Sequence, residues 1–322
     1  MTFTNISLEF SKEEPLSKHT SFRVGGPAEF FARPKTADEF MEICHLCKTH
    51  DVPITILGDG TNVLVADTGL RGVVVTTSKM NEIEILQDGK IRAQAGTRLS
   101  KVAEMACKAG FSGFEFASGI PGTVGGAICM NAGAYGGEIG NFCDNVTLFD
   151  NKLQEESSAS RTAGSCCEQA TSDLKQLPVR NIYTKTGAEM KFGYRQSIVQ
   201  QDGLLVLEAV FQLKPGGNPD EIKQKMNELN GRRRTTQPLD FPSAGSTFKR
   251  PTGYFAGTLI QDSGLKGFAI GGAQVSEKHA GFVINTGTAT AQDIYNLIQA
   301  VQQQVFEKFD VWLEPEVKLL GF

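Results

Sequence analysis

Between Phe116 and Gly140 the chain reads F-A-S-G-I-P-G-T-V-G-G-A-I-C-M-N-A-G-A-Y-G-G-E-I-G, and no other stretch constrains the fold so sharply. Glycine is costly to order inside a helix or strand. A run this dense therefore predicts tight turns rather than a packed helix or a long strand. Gly119, Gly122, Gly125, Gly126, Gly133, Gly136 and Gly137 exceed what connecting turns need, and Ser118, Thr123 and Asn131 add hydrogen-bonding side chains. Turns of this kind present N–H groups at close range, as phosphate oxygens require. A second loop, Gly58-Asp59-Gly60-Thr61-Asn62, follows a β-type run. It has Val63 where G-x-G-x-x-G needs its third glycine, no helical pattern follows it, and the chain contains no G-x-x-x-x-G-K-[ST]. Rossmann and P-loop sites are thereby disfavoured. Two glycine loops in separate lobes predict a diphosphate clamped between them.

Overall, 35 of 322 residues are glycine, about 11% against an average near 7%. The length suggests two or three domains. Lys and Arg number 32 against 36 Asp and Glu, a net charge of -4, and the one basic tract is Arg232-Arg233-Arg234. Neither nucleic acid nor membrane is expected as a partner. No apolar run reaches 18 residues, and Met1 to Pro15 carries acidic residues without an Arg/Lys-led apolar stretch, so a cytoplasmic protein is expected. Seven scattered cysteines fit reduced thiols better than a disulfide framework. Cys44-x-x-Cys47 with His45 and His50 lacks a second ligand pair, so a buried helix face is expected there and no metal.

Thr36 and Glu39 have capping-box spacing before a helix reaching about Thr49. Short strands are expected at Ile54 to Leu57, Asn62 to Val65 and Gly72 to Thr77, and a hairpin at Ile83 to Leu86 and Ile91 to Ala95. A helix follows from Arg98 to Ala109, closed by Gly110. From about Asn151 to Asn181 the composition is that of a solvated insertion, in which no role is assigned to Cys166-Cys167. Leu204 to Leu213 reads as a strand, Asn218-Pro219 starts a helix to about Arg233, Thr290 caps a last amphipathic helix, and Val311 to Leu320 reads as a strand. Residues 1–78 and 79–203 are expected as two lobes, with an insertion at 151–183. Residues 204–322 are expected as an α+β domain whose last strand reaches the site.

Several blocks then identify a resemblance. They are His19-Thr20-Ser21-Phe22 with Val24-Gly25-Gly26-Pro27, the turn from Gly58, S-G-I-P-G-T-V-G-G-A from Ser118, and M-N-A-G-A-Y-G from Met130. F-G-Y-R from Phe192, P-S-A-G-S-T-F-K-R-P from Pro242, V-S-E-K-H-A-G-F from Val275 and L-E-P-E-V from Leu313 complete the set. Jointly they resemble the UDP-N-acetylenolpyruvoylglucosamine reductase family, the FAD enzymes that make UDP-N-acetylmuramate for bacterial peptidoglycan. Only about ten residues separate Tyr194 from the strand at Leu204, which resembles the family's shorter second subgroup. The resemblance implies an α+β fold: a two-lobed FAD-binding domain of the vanillyl-alcohol oxidase/p-cresol methylhydroxylase type, then a C-terminal substrate domain. Gly58, Gly60, Thr61, Asn62, Ser118, Gly119, Gly122, Thr123, Gly125 and Gly126 are the expected FAD contacts.

It further implies NADPH as hydride donor to FAD, UDP-N-acetylglucosamine enolpyruvate as substrate, and a monomer. Arg195 would fork onto the enolpyruvyl carboxylate, Ser246 would protonate carbon, and Glu316 would help hold the developing enol; strand periodicity puts Glu314 on the same side as Glu316, and the family motif selects Glu316. Lys249, Arg250, Lys266 and His279 are candidates for the anionic UDP portion. The chain departs from the family at Asp59, whose carboxylate is expected to face solvent, and at Thr236, where many members carry lysine. The alternatives are another FAD-dependent oxidoreductase of the same fold and an inactive flavin or nucleotide-sugar binding protein.

Overall fold

The computed structural model describes residues 10–151 and 181–322. The expected polar insertion, with Cys166 and Cys167, falls almost wholly outside the described residues.

The first lobe holds β1 (Phe10–Pro15), β2 (Pro27–Ala32), α1 (Ala37–Thr49), β3 (Ile54–Leu57), β4 (Val63–Val65) and β5 (Leu70–Thr76). Its sheet runs β1-β2-β5-β3, with β5 parallel to both neighbours. The Thr36 hydroxyl accepts from the Glu39 N–H and fixes the start of α1. Phe40, Ile43, Cys44 and Cys47 fall on the buried face of that helix, against Val73 and Val75. Burial pushes the Cys47 thiol up to about 11, so it stays a neutral packing group.

The second lobe contains β6 (Ile83–Ile85), β7 (Lys90–Gln94), α2 (Leu99–Lys108), α3 (Val124–Met130), β8 (Gly133–Ala134), β9 (Gly137–Glu138), β10 (Cys143–Phe149), β11 (Ile182–Thr186), α4 (Ile198–Asp202), β12 (Leu205–Gln212) and α5 (Pro219–Thr236). Its five-stranded antiparallel sheet runs β11-β10-β12-β7-β6. β12 is the central strand, so the boundary expected at 203/204 would cut this sheet in half. Ile222, Met226 and Leu229 of α5 share the core with α2 and β7, so the lobe continues to the end of α5.

The glycine-rich stretch also departs from expectation, because it contains a helix. Thr123 caps α3 by accepting from the Gly126 N–H, and Asn131 closes the helix at φ 44°. Gly125 sits where an added Cβ would lie 3.2 Å from Ala95, so glycine here lets α3 pack closely on the backbone after β7.

The third part comprises α6 (Ala256–Asp262), β13 (Ala269–Ile270), β14 (Ala273–Val275), β15 (Val283–Asn285), α7 (Ala291–Phe309) and β16 (Lys318–Leu320). Ile294, Leu297, Ile298, Val301 and Val305 of α7 cover β14 and β15. The strand expected over Val311 to Leu320 is regular only at β16. Pro315 has no N–H for a ladder and makes a single bridge with Phe248. β16 pairs in parallel with β4, returning the C-terminus to the first lobe. Among the described residues no helix is long and apolar enough to cross a membrane.

Candidate active site

The two glycine loops meet where the three parts converge. The first follows β3, and the second enters α3. An added Cβ on Gly58 would lie 2.4 Å from Thr123 Oγ1, and one on Gly122, at φ +123°, would lie 3.0 Å from Thr61 Oγ1. The Thr61 hydroxyl donates to the Pro121 carbonyl at 3.3 Å, and Arg98 of the second lobe pairs with Asp59 of the first at 2.9 Å. Asp59 thus faces a guanidinium rather than open solvent as expected, which offsets its charge beside a site for anions.

Between these loops and the third domain lies a chamber of about 420 Å3, within the range of small-molecule and cofactor sites. Gly58, Gly60, Thr61, Asn62, Gly122, Thr123 and Gly126 line it. Ser118, Gly119 and Gly125 do not. The Ser118 hydroxyl donates to the Glu115 carbonyl, the Gly119 carbonyl accepts from Arg233, and Gly125 packs on Ala95. These three stand behind the wall of the chamber. Sequence reasoning missed Arg233, Gln237, Gln200 and Lys318, which also line the chamber. The first two sit at the end of a helix whose solvated face drew attention away from its buried one.

A second, polar chamber of about 440 Å3 adjoins it, lined by Tyr194, Arg250, Phe255, Lys278 and His279 among others. Arg195, Ser246 and Glu316 border both chambers. The three come from a turn before α4, a turn before α6, and the extended segment before β16, so each is delivered separately.

Arg195 has φ 58°, a left-handed backbone that side chains rarely adopt. The turn is held by the Gly193 carbonyl accepting from the Asn131 amide at 3.1 Å. The Arg195 guanidinium pairs with Glu316. The Glu316 N–H donates to the Thr247 carbonyl at 2.8 Å, and its own carbonyl accepts from the Asn62 side chain at 3.1 Å. Asn62 therefore links the first glycine loop to the Glu316 segment. Glu316 is 9% exposed. Burial raises its carboxyl above the usual range, while Arg195 and then Lys249 pull it down. Ser246 follows Gly245, whose φ of +77° demands glycine while open space surrounds it. Thr247 locks the next position, donating its N–H to the Gly281 carbonyl and accepting from the Val283 N–H.

Of the expected substrate contacts, Arg250 and His279 line the second chamber. Lys249 is paired with Glu314, and Lys266 is exposed and borders neither chamber. Thr236 is likewise outside both, its hydroxyl donating to the Arg232 carbonyl of its own helix. Burial lowers the pKa of His279, with Lys266 adding to the effect, and its Nδ1 accepts from the Gly281 N–H at 3.1 Å. The neutral ring therefore keeps Nε2–H as a donor. Among the described residues no cluster of three or more His, Cys, Asp or Glu could hold a metal ion.

A two-lobed domain with paired glycine loops, closed by a domain that brings an arginine, a serine and a carboxyl to the chamber, defines a flavin-dependent oxidoreductase. Residues 28–151 match the family described as FAD binding domain. Residues 237–320 match UDP-N-acetylenolpyruvoylglucosamine reductase, C-terminal domain. The chain is 48% identical over 308 residues to UDP-N-acetylenolpyruvoylglucosamine reductase of Caldanaerobacter subterraneus subsp. tengcongensis, covering 96% of this chain and 92% of that protein. It is 46% identical over 310 residues to the protein of the same name from Clostridioides difficile, with the same coverage. The crystal structure of the reductase from Thermus caldophilus superposes with a TM-score of 0.75 at 30% identity, covering 98% of this chain and 99% of that one. The chain belongs to the UDP-N-acetylenolpyruvoylglucosamine reductase family. It is an FAD-dependent enzyme that reduces the enolpyruvyl ether of UDP-N-acetylglucosamine in peptidoglycan synthesis.

Proposed function

We propose that Arg195, Ser246 and Glu316 carry the reduction at the partition between a flavin chamber and a substrate chamber. One observation carries this assignment: three side chains from distant segments border both cavities. Gly58, Gly60, Thr61, Gly122, Thr123 and Gly126 would hold FAD, and the crowding an added Cβ would cause at Gly58 and Gly122 supports a close backbone approach there. When bound, FAD supplies hydride to the terminal carbon of the enolpyruvyl double bond.

The electron pair displaced from that bond flows toward the substrate carboxylate. Arg195 forks onto this carboxylate and offsets the growing charge. Glu316 positions the guanidinium, and in its protonated form it donates a hydrogen bond to the developing enol oxygen. Ser246 gives its hydroxyl proton to the adjacent carbon, and the Arg195 guanidinium, which borders the same two chambers, would favour the resulting oxyanion. Arg250 and neutral His279 would meet the diphosphate in the second chamber. NADPH as the hydride donor, and a monomer in the bacterial cytoplasm, belong to the same proposal.

The test is optical. Purified protein should be yellow, bleach with NADPH under anaerobic conditions, and recover colour when the enolpyruvyl sugar nucleotide is added. Bleaching without recovery would point to another substrate and refute the assignment.

A further inference from the structure

α5 is mostly a solvated helix, yet its last turn and the residue that caps it each send a polar side chain into the flavin chamber. Arg233 lies in the last turn and Gln237 is the extended residue that caps it, its N–H donating to the Arg233 carbonyl at 2.9 Å, and both side chains line the chamber. Arg233 is partly buried, with its guanidinium donating to the Gly119 carbonyl, and among the described residues it pairs with no carboxylate. Arg195, which also lines the chamber, is already matched by Glu316. Beside Arg233, Gln237 Oε1 is buried and has no hydrogen-bond partner. A buried acceptor left empty costs about 1–3 kcal/mol, so it calls for a donor that protein atoms do not supply. Neither residue borders the second chamber, which leaves the cofactor as their ligand.

The pyrimidine edge of an isoalloxazine ring presents N1 and the C2 carbonyl as acceptors, with N3–H beside them as a donor. We propose that Arg233 donates to the N1–C2 carbonyl side of the flavin and Gln237 Oε1 accepts from N3–H, so that α5 reads the pyrimidine edge and tunes the reduction potential. This rests on FAD occupying the glycine-walled chamber. A hydride from the nicotinamide carries two electrons and one proton to the ring, leaving one negative charge spread over N1 and the C2 carbonyl. An uncompensated guanidinium at that edge favours the reduced form.

The test uses FAD-loaded protein and two readouts independent of turnover. In R233M the equilibrium constant for two-electron reduction should fall at least tenfold, about 30 mV, and R233K should recover most of it. Should R233M fail to fold, R233Q makes the same measurement. Wild-type protein should bind N3-methyl-FAD at least tenfold more weakly than FAD, and Q237L should erase that ratio. A neutral Arg233 variant whose equilibrium constant for reduction stays within twofold of wild type, whatever its FAD affinity, would overturn the tuning role and place the guanidinium on the pyrophosphate. An unchanged analogue ratio in Q237L would overturn the N3 contact. Wild-type protein that cannot be loaded with FAD would overturn the chamber assignment itself, a result distinct from both.

Discussion

At the scale of single residues, the site depends on one buried carboxyl whose environment pulls in two directions. Burial opposes ionisation of Glu316 more strongly than Arg195 and Lys249 favour it. The folded protein therefore binds this proton more tightly than the unfolded chain does. Its contribution to stability is full below the ordinary carboxylate range and is lost as pH rises through the raised folded pKa. Glu316→Gln removes the titration, so the melting temperature of the variant relative to wild type should increase from about pH 4 to pH 7. A relative stability that stays flat or falls over this range would mean that Arg195, not burial, governs the group. Sequence alone left Glu314 and Glu316 on the same side of a strand, and the family motif chose Glu316. The structure separates them physically: Glu316 is buried against Arg195, whereas Glu314 pairs with Lys249 at the surface.

At the scale of elements, the periodic segments were legible and the glycine-rich one was only partly so. β3, α1, α2 and β12 lie within a residue or two of their expected limits, because apolar spacing and caps are local signals. α3 escaped because Gly125 is explained by packing against Ala95, a contact invisible in local composition. The boundary at 203/204 failed for a related reason: strand pairing is non-local, and a strong strand does not announce which sheet it joins. The best-defined local signal is the start of α7. There Thr290 accepts from the Asp293 N–H while the Asp293 carboxylate accepts from the Thr290 N–H, both at 3.0 Å. Thr290→Ala should cost about 1 kcal/mol of stability. The Thr290 N–H, followed by that of Gly272, holds the Asp293 carboxyl below its usual range, so its contribution is present above that range and is lost as pH falls through the folded pKa. Denaturant midpoints should therefore show Asp293→Asn less stable than wild type at pH 7, with the gap closing toward about pH 3. A gap constant with pH would show that the carboxylate does not act as the cap.

At the scale of the whole molecule, the third domain is built into the first lobe. Phe22, Val24 and Leu64 belong to the core that α7 covers, and the Asp67 carboxylate accepts from the Ala291 and Gln292 N–H groups at 2.9 Å. β16 on β4 completes the connection, and Asn62 carries it to the carbonyl of Glu316. The glycine-loop wall and the groups that border both chambers thus share one framework, so the partition between the chambers is set by the fold and not by a single loop. The separation of roles can be measured directly by following the flavin of Ser246→Ala through each half-reaction under anaerobic conditions. Reduction by NADPH should proceed at the wild-type rate, while reoxidation by the enolpyruvyl sugar nucleotide should slow by about 10²- to 10⁴-fold. Equal slowing of both half-reactions, or of neither, would contradict the placement of Ser246 as the proton donor at the partition.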